Sequence, residues 1–238
     1  MDDILYKGLK LVPNFSTDNL APDKLYTIEG ARLREIEGYT LPTINNSNGV
    51  EELFSKVLYS YHEVECYEKL RGLGIAPEMK GLTKIQGCYV LLLEKMEPLR
   101  PHQVDSKIIR ALIEKVKKMH SAGVVHRDLR MSNLLYKDGD VFLCDFEDKG
   151  YSPEWAAPEV LQNMEFSCES DMYSLGCTIL ELATGHPPWH DDDDFESNVV
   201  AGRFDYLLAD VKTPLLKDII RDCLIKRCCG GSLQMLLS

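Results

Sequence analysis

Residues 123–160 read GVVHRDLRMSNLLYKDGDVFLCDFEDKGYSPEWAAPEV, and three polar side chains there set the chemistry: Asp128, Asn133 and Asp145. Asp128 and Asn133 flank a short polar loop that follows a helix. KDGD (137–140) is a turn that joins two strands, 133–136 and 141–144, and Asp145 ends the second. Such a hairpin brings residues 133 and 145 about 5–10 Å apart, one or two strand spacings. Two oxygen donors at that range can hold a divalent cation whose other ligands are phosphate oxygens, as magnesium prefers. Asp128 is then free to accept a proton from a hydroxyl nucleophile. Each residue alone also suits a turn or a helix cap; the combination at these spacings is what points to phosphate chemistry.

Working outward, the pattern on either side differs. Before the stretch, 52–58 (ELFSKVL) and 88–93 (CYVLLL) read as strands, with a helix over 63–70 and a turn signal at NNSNG (45–49). From Ser106, Ile108, Ile109, Leu112, Ile113, Val116 and Met119 recur at three- and four-residue intervals, the apolar face of a helix. A second apolar helix covers 171–183 and stops at Thr184-Gly185 before His186-Pro187-Pro188; a third runs through 215–224. Strands early and helices late predict an α+β chain with a strand-rich part followed by a helical one.

Composition narrows the function. The chain has 238 residues, 45% hydrophobic and 27% charged, which is enough for a real core in one large domain or two modest lobes. A formal net charge of −11 argues against nucleic acid as a partner, because phosphate backbones select basic faces. No apolar run approaches the roughly 20 residues of a membrane span. MDDILYKGLK at the start is acidic and lacks the apolar stretch of a secretory signal. Eight cysteines show no CxxC pair and no zinc-like spacing, so free thiols in a reducing, cytoplasmic setting are expected. Asp191–Asp194 reads as a solvated loop.

The sequence resembles the eukaryotic protein kinase family. His126-Arg127-Asp128-Leu129 with Asn133 matches the pattern H-R-D-L-x-x-x-N, Asp145-Phe146-Glu147 stands where the family has D-F-G, and Ala157-Pro158-Glu159 matches A-P-E. Asp171–Gly176 (DMYSLG) looks like the family's long central helix, whose aspartate anchors the backbone of the catalytic loop. The resemblance implies a two-lobed protein-kinase-like fold as a single domain over 1–238. A small β-rich N-lobe would span about 20–95 and a larger helical C-lobe 96–238. ATP and Mg2+ are the implied cofactors and a protein hydroxyl the implied acceptor, with oligomeric state left open. Asp128 would be the base, Arg130 would face the γ-phosphate, and Asn133 and Asp145 would hold magnesium. The resemblance also places Lys56 and Glu63 on the nucleotide phosphates, with Glu65 as second choice for the glutamate. Leu135 would lie beneath adenine, Glu94 and Met96 would offer backbone groups to its edge, and Leu93 would be the gatekeeper.

The chain departs from the family pattern at several points. No G-x-G-x-x-G precedes Lys56; Gly30 and Gly38 stand alone. Phe54 shares a strand face with Lys56 and would crowd adenine. Glu147 replaces a glycine, which disfavours positive φ there and predicts an inward, static Phe146. Glu159 follows only fourteen positions after Asp145, with Tyr151 and Ser152 the hydroxyls between them, so Arg127 has little to grip. Arg221 and Arg227 are candidates to pair with Glu159. Arg130 and Trp155 are similar to tyrosine-kinase residues, whereas serine/threonine specificity is favoured as the commoner class. A pseudokinase that binds without turnover, and a small-molecule phosphotransferase, remain the alternatives.

Overall fold

The computed structural model describes residues 26–29, 32–35, 43–45, 52–58, 60–85, 88–148 and 150–226. The turn expected at 46–49, the isolated Gly30 and Gly38, Arg227, Cys228 and Cys229 lie outside them. The chain forms two compact units, Met1–Met96 and Glu97–Ser238.

Among the described residues, the first unit is a six-stranded sheet with one helix. The strands are β1 (Tyr26–Glu29), β2 (Arg32–Glu35), β3 (Thr43–Asn45), β4 (Glu52–Val57), β5 (Met79–Ile85) and β6 (Cys88–Glu94), in the order β2-β1-β3-β4-β6-β5. All neighbours are antiparallel except β1 and β3. The apolar run Leu91-Leu92-Leu93 lies on β6 and is fully buried. A strand flanked by neighbours on both sides and covered on both faces reads as an unbroken apolar run. Helix α1 (Tyr61–Leu70) follows β4, opened by Ser60, whose side chain accepts the His62 N–H at 3.1 Å. It buries Val64, Cys66, Tyr67 and Leu70.

The second unit is mainly helical. Helix α2 (Ser106–Ser121) is capped by Asp105, which accepts the Ile108 N–H at 2.8 Å, and its apolar face is buried as the periodicity predicts. A three-stranded antiparallel sheet follows: β7 (Glu97–Pro98), β8 (Leu134–Lys137) and β9 (Asp140–Leu143). Asp138 and Gly139 both take positive φ, 51° and 81°, in the two-residue turn between β8 and β9. That geometry matches the right-handed twist of the strands, and Asp-Gly is a pair that supplies it at low cost. Asn133 sits one residue before β8, in a single 3-10 turn (Met131–Asn133), and Cys144 one residue after β9. Each expected strand is therefore displaced by one residue at both ends, towards the turn.

The remaining helices are α3 (Pro158–Asn163), α4 (Cys168–Thr184), α5 (Phe195–Val200) and α6 (Pro214–Lys226). Helix α4 begins three residues ahead of Asp171, because Ser167 and Ser170 form a reciprocal cap there. It ends on Gly185 at φ 83°, as the Thr-Gly-x-Pro signal predicts. Residues 170–180 of α4 are buried without a break, so this helix is the axis of the unit. Gly176 lets α6 approach closely: a Cβ there would lie 2.8 Å from the Cβ of Cys223. No described helix is long and apolar enough to cross a membrane.

Candidate catalytic site

An apolar helix wrapped in protein carries one polar stripe. Asp171, Ser174, Thr178 and Glu181 recur at intervals of three and four along α4 and so share a face. Each grips the loop or the segment that precedes it in the chain. Asp171 Oδ2 accepts the His126 N–H at 2.7 Å and Oδ1 the Arg127 N–H at 2.9 Å; His120 Nε2 meets Oδ2 at 2.9 Å. Ser174 Oγ donates to the Trp155 carbonyl at 2.8 Å, and Thr178 Oγ1 to the Leu129 carbonyl at 3.1 Å. Glu181 Oε2 accepts both the Met131 N–H, at 3.1 Å, and Trp155 Nε1–H, at 3.0 Å. Backbone groups in an irregular buried loop need partners that the loop cannot give itself. The stripe supplies them.

Held this way, the loop turns at Arg127, whose φ is 75°, and presents Asp128. Asn133 Nδ2 donates to the Asp128 carbonyl at 2.8 Å and to Asp128 Oδ2 at 3.1 Å. The other carboxylate oxygen, Oδ1, accepts the Ser152 N–H at 2.9 Å. Arg130 Nη1 donates to Ser152 Oγ, and its guanidinium lies 4.5 Å from the centre of the Trp155 ring. Asp128, Arg130, Asn133 and Ser152 are thus one connected group.

Asp145 is placed by the β8–β9 hairpin. The Cys144 N–H donates to the Asn133 carbonyl at 3.1 Å, extending the Leu134–Leu143 pairing by one step, and Asp145 follows at once with φ 68°. Glu147 keeps a negative φ, so the left-handed residue is Asp145, two places earlier than the family's glycine. Phe146 is buried, 4.9 Å from the His126 ring, which is the inward position expected for it. Burial holds the His126 imidazole below its usual pKa, in spite of Asp171, Asp128 and Asp145 nearby. Burial likewise raises the Glu181 carboxyl, against the two N–H bonds and Arg130 that favour its charge. Arg127 does not stand idle: its guanidinium lies 5.5 Å from the Phe166 ring, which Tyr151 meets edge-on.

In the first unit the structure brings Lys56 and Glu63 together. Lys56 Nζ lies 2.8 Å from Glu63 Oε1, and the glutamate is fully buried while Glu65 is exposed. The sheet register sets Phe54 opposite Leu93 and Lys56 opposite Leu91, so Phe54 does share a face with Lys56. Glu94 ends β6 with its N–H on the Glu78 carbonyl at 2.8 Å; Met96 is buried. In the second unit Leu135 is half-buried on β8, opposite Pro98 and Phe142.

Of the two candidates to pair with Glu159, Arg227 lies outside the described residues and Arg221 is corrected. Arg221 does not reach Glu159; it pairs with Asp205 at 3.3 Å and Asp218 at 3.7 Å, the second being three residues away on the same helix turn. Two site residues escaped the sequence reading. Read from sequence, Ser152 is only a hydroxyl between Asp145 and Glu159, and Glu181 lies outside the motifs quoted above. The polar stripe on α4 was the signal that could have found Glu181.

Comparisons with known proteins point to one family. The family described as "Protein kinase domain" matches residues 85–229. Calcium/calmodulin-dependent protein kinase type 1 of Caenorhabditis briggsae is 35% identical over 121 residues, 44% of this chain and 34% of that protein. Mitogen-activated protein kinase kinase kinase 3 of Arabidopsis thaliana is 31% identical over 182 residues, 66% of this chain and 28% of its own. Serine/threonine-protein kinase KIC1 of Saccharomyces cerevisiae is 34% identical over 139 residues, 50% and 12% respectively. The chain spans about a third of the length of the first of these and less of the others. A match over more than half the chain, falling on the loop, hairpin and central helix just described, places the protein in the protein kinase domain family.

Proposed function

We propose that the protein is an ATP- and magnesium-dependent protein kinase acting on serine or threonine hydroxyls. The observation that carries this is the connected group around Asp128, in which both carboxylate oxygens are oriented by fixed donors. A base held in one orientation can meet an incoming hydroxyl without first reorganising. In the proposed reaction the hydroxyl oxygen forms a bond to the γ-phosphorus, the bond to the β-phosphate oxygen breaks, and the proton passes to Asp128. Arg130, which belongs to the same connected group, would balance charge on the phosphoryl group.

The donor set suits magnesium. Asn133 spends its amide nitrogen on Asp128, which leaves its oxygen for a cation. Asp145 stands beside it at the end of the hairpin. No group of three or more His, Cys, Asp or Glu among the described residues could hold a metal unaided. Magnesium that takes one or two protein oxygens and completes its shell with phosphates and water needs no such group. When bound, it neutralises charge on the phosphates. The Lys56–Glu63 pair supports a phosphate-directed role for the first unit. The serine/threonine preference is supported by the relatives named above, and the free thiols of Cys168 and Cys177 support a reducing, cytoplasmic setting.

Labelled ATP tests the reading. Purified protein should transfer phosphate to itself or to a generic basic protein, and Asp128→Asn should lower the rate by about 10²–10⁴ while nucleotide still protects against thermal unfolding. Transfer that is unchanged in Asp128→Asn and in Asp145→Ala would end the proposal. Protection without transfer in the wild-type protein would favour the pseudokinase.

A further inference from the structure

Helix α2 carries one residue that its pattern does not ask for. Ile108, Leu112, Lys115 and Met119 follow one another at intervals of three and four, so Lys115 stands inside the apolar stripe. It is buried with its neighbours, only 8% exposed. Burial pulls its ammonium below the usual lysine pKa, outweighing the bond to Asp140, which raises it. An apolar side chain at this position would complete the stripe without that cost. A charge kept where an apolar residue would serve points to a task other than stability.

The contacts of the ammonium show the task. Lys115 Nζ donates to Asp140 Oδ2 at 2.8 Å and lies 3.8 Å from the centre of the Phe142 ring. Asp140 and Phe142 are two residues apart on β9 and share a face, so one cation holds the strand at two points. Eight residues earlier on α2, Lys107 Nζ donates to the Gly139 carbonyl at 3.2 Å. Helix α2 therefore grips the hairpin at its turn and along β9. Val141 and Leu143, on the opposite face of β9, are held by apolar burial, which is non-directional. The lysine adds direction. Past the end of β9 come Cys144, bonded to the Asn133 carbonyl, and then Asp145.

We infer that Lys115 is a positioning residue: by seating β9 on α2 through Asp140 and Phe142, it fixes Asp145 beside Asn133. The inference rests on the proposed function, which assigns magnesium to those two residues. Groups that orient a metal ligand without touching the metal commonly tune its affinity.

The test compares wild-type protein with Lys115→Met, which keeps the stem and removes the charge, and with Lys115→Arg. Lys118→Met, on the exposed side of α2, is the control. In metal-free protein, amide hydrogen exchange over 139–145 should be about tenfold faster in Lys115→Met, with α4 unchanged. The Asp140 side chain is 45% exposed and stays hydrated without its partner, so the denaturant midpoint should hold or rise. The magnesium concentration at which ATP protects against thermal unfolding should rise about three- to tenfold. Lys115→Arg should recover most of both effects, and Lys118→Met should show neither. A lysine with a merely structural role would lower the midpoint and speed exchange throughout the unit. That result, unchanged exchange over 139–145, or an unchanged magnesium requirement overturns the inference. Neither readout needs turnover: wild-type protein protected by ATP and magnesium that transfers no phosphate defeats the proposed function alone. Wild-type protein with no magnesium-dependent protection defeats both.

Discussion

Trp155 and Glu181 meet at 3.0 Å, and the carboxylate oxygen that receives the indole N–H also receives the backbone N–H of Met131. One oxygen therefore ties the segment after Asp145 to the loop that carries Asp128. Trp155→Phe keeps an aromatic ring near Arg130 but removes the donor and part of a buried ring system. It should cost about 2–3 kcal/mol in stability, a lost hydrogen bond plus the space left behind, and lower kcat several-fold. Glu181→Ala should cost at least as much, about 2–5 kcal/mol, because it leaves two buried N–H groups unpaired. Denaturant unfolding and steady-state kinetics on the same samples check both; a Trp155→Phe protein indistinguishable from wild type contradicts the tie.

Asp171 is nearly inaccessible and accepts from two consecutive backbone N–H groups and from His120. Asp171→Ala should destabilise the second unit by about 3–5 kcal/mol, and Asp171→Asn by less, since one carbonyl oxygen survives. Because Asp128 follows directly on the residues held here, activity should fall further than the unfolded fraction explains. Unfolding curves set beside rates corrected for folded protein will show whether it does.

Gly176 is a contact of backbone, not a turn. Its missing Cβ would lie 2.8 Å from Cys223 Cβ and 3.2 Å from Leu224 Cδ2. Gly176→Ala should cost about 1–3 kcal/mol through overpacking, outweighing the gain in helix propensity. Adding Cys223→Ala should not restore stability, because alanine retains the atom that clashes. Restoration in the double variant would locate the strain elsewhere.

His126 gives a pH dependence. Burial depresses its pKa below the ordinary 6.5. A base with a depressed folded pKa contributes its stability in full above the unfolded value, and that contribution is lost as pH falls from 6.5 through the folded value. Stability should therefore decline below pH 6.5, this residue supplying up to about 1.4 kcal/mol per pH unit. His126→Phe, which preserves an aromatic contact with Phe146, should lose that part of the slope. Parallel stability curves for the two proteins would refute the assignment.

Much of the second unit is legible in the sequence alone. Periodicity gave α2 its buried face, Asp-Gly gave the hairpin turn, and Thr-Gly before two prolines ended α4; each is a local rule acting on neighbours in sequence. The spacing of Asp128, Asn133 and Asp145 was equally local, a loop followed by a hairpin. Lys56 and Glu63 could be nominated only by likeness, since seven residues apart across a turn they might have faced anywhere. Their 2.8 Å contact came with the placement of α1 after β4.

What residue order determined by itself was the set of elements and the oxygen-bearing side chains placed at their ends, because turns, caps and apolar stripes act over a few residues. What only tertiary structure decided was which partner each polar group took. Glu181 joins Met131 and Trp155 across 50 and 26 positions of chain, and Arg221 prefers Asp205 to Glu159. Those choices depend on which helix is buried against which loop. A buried carboxylate takes the donors that packing brings to it, whatever their distance along the chain.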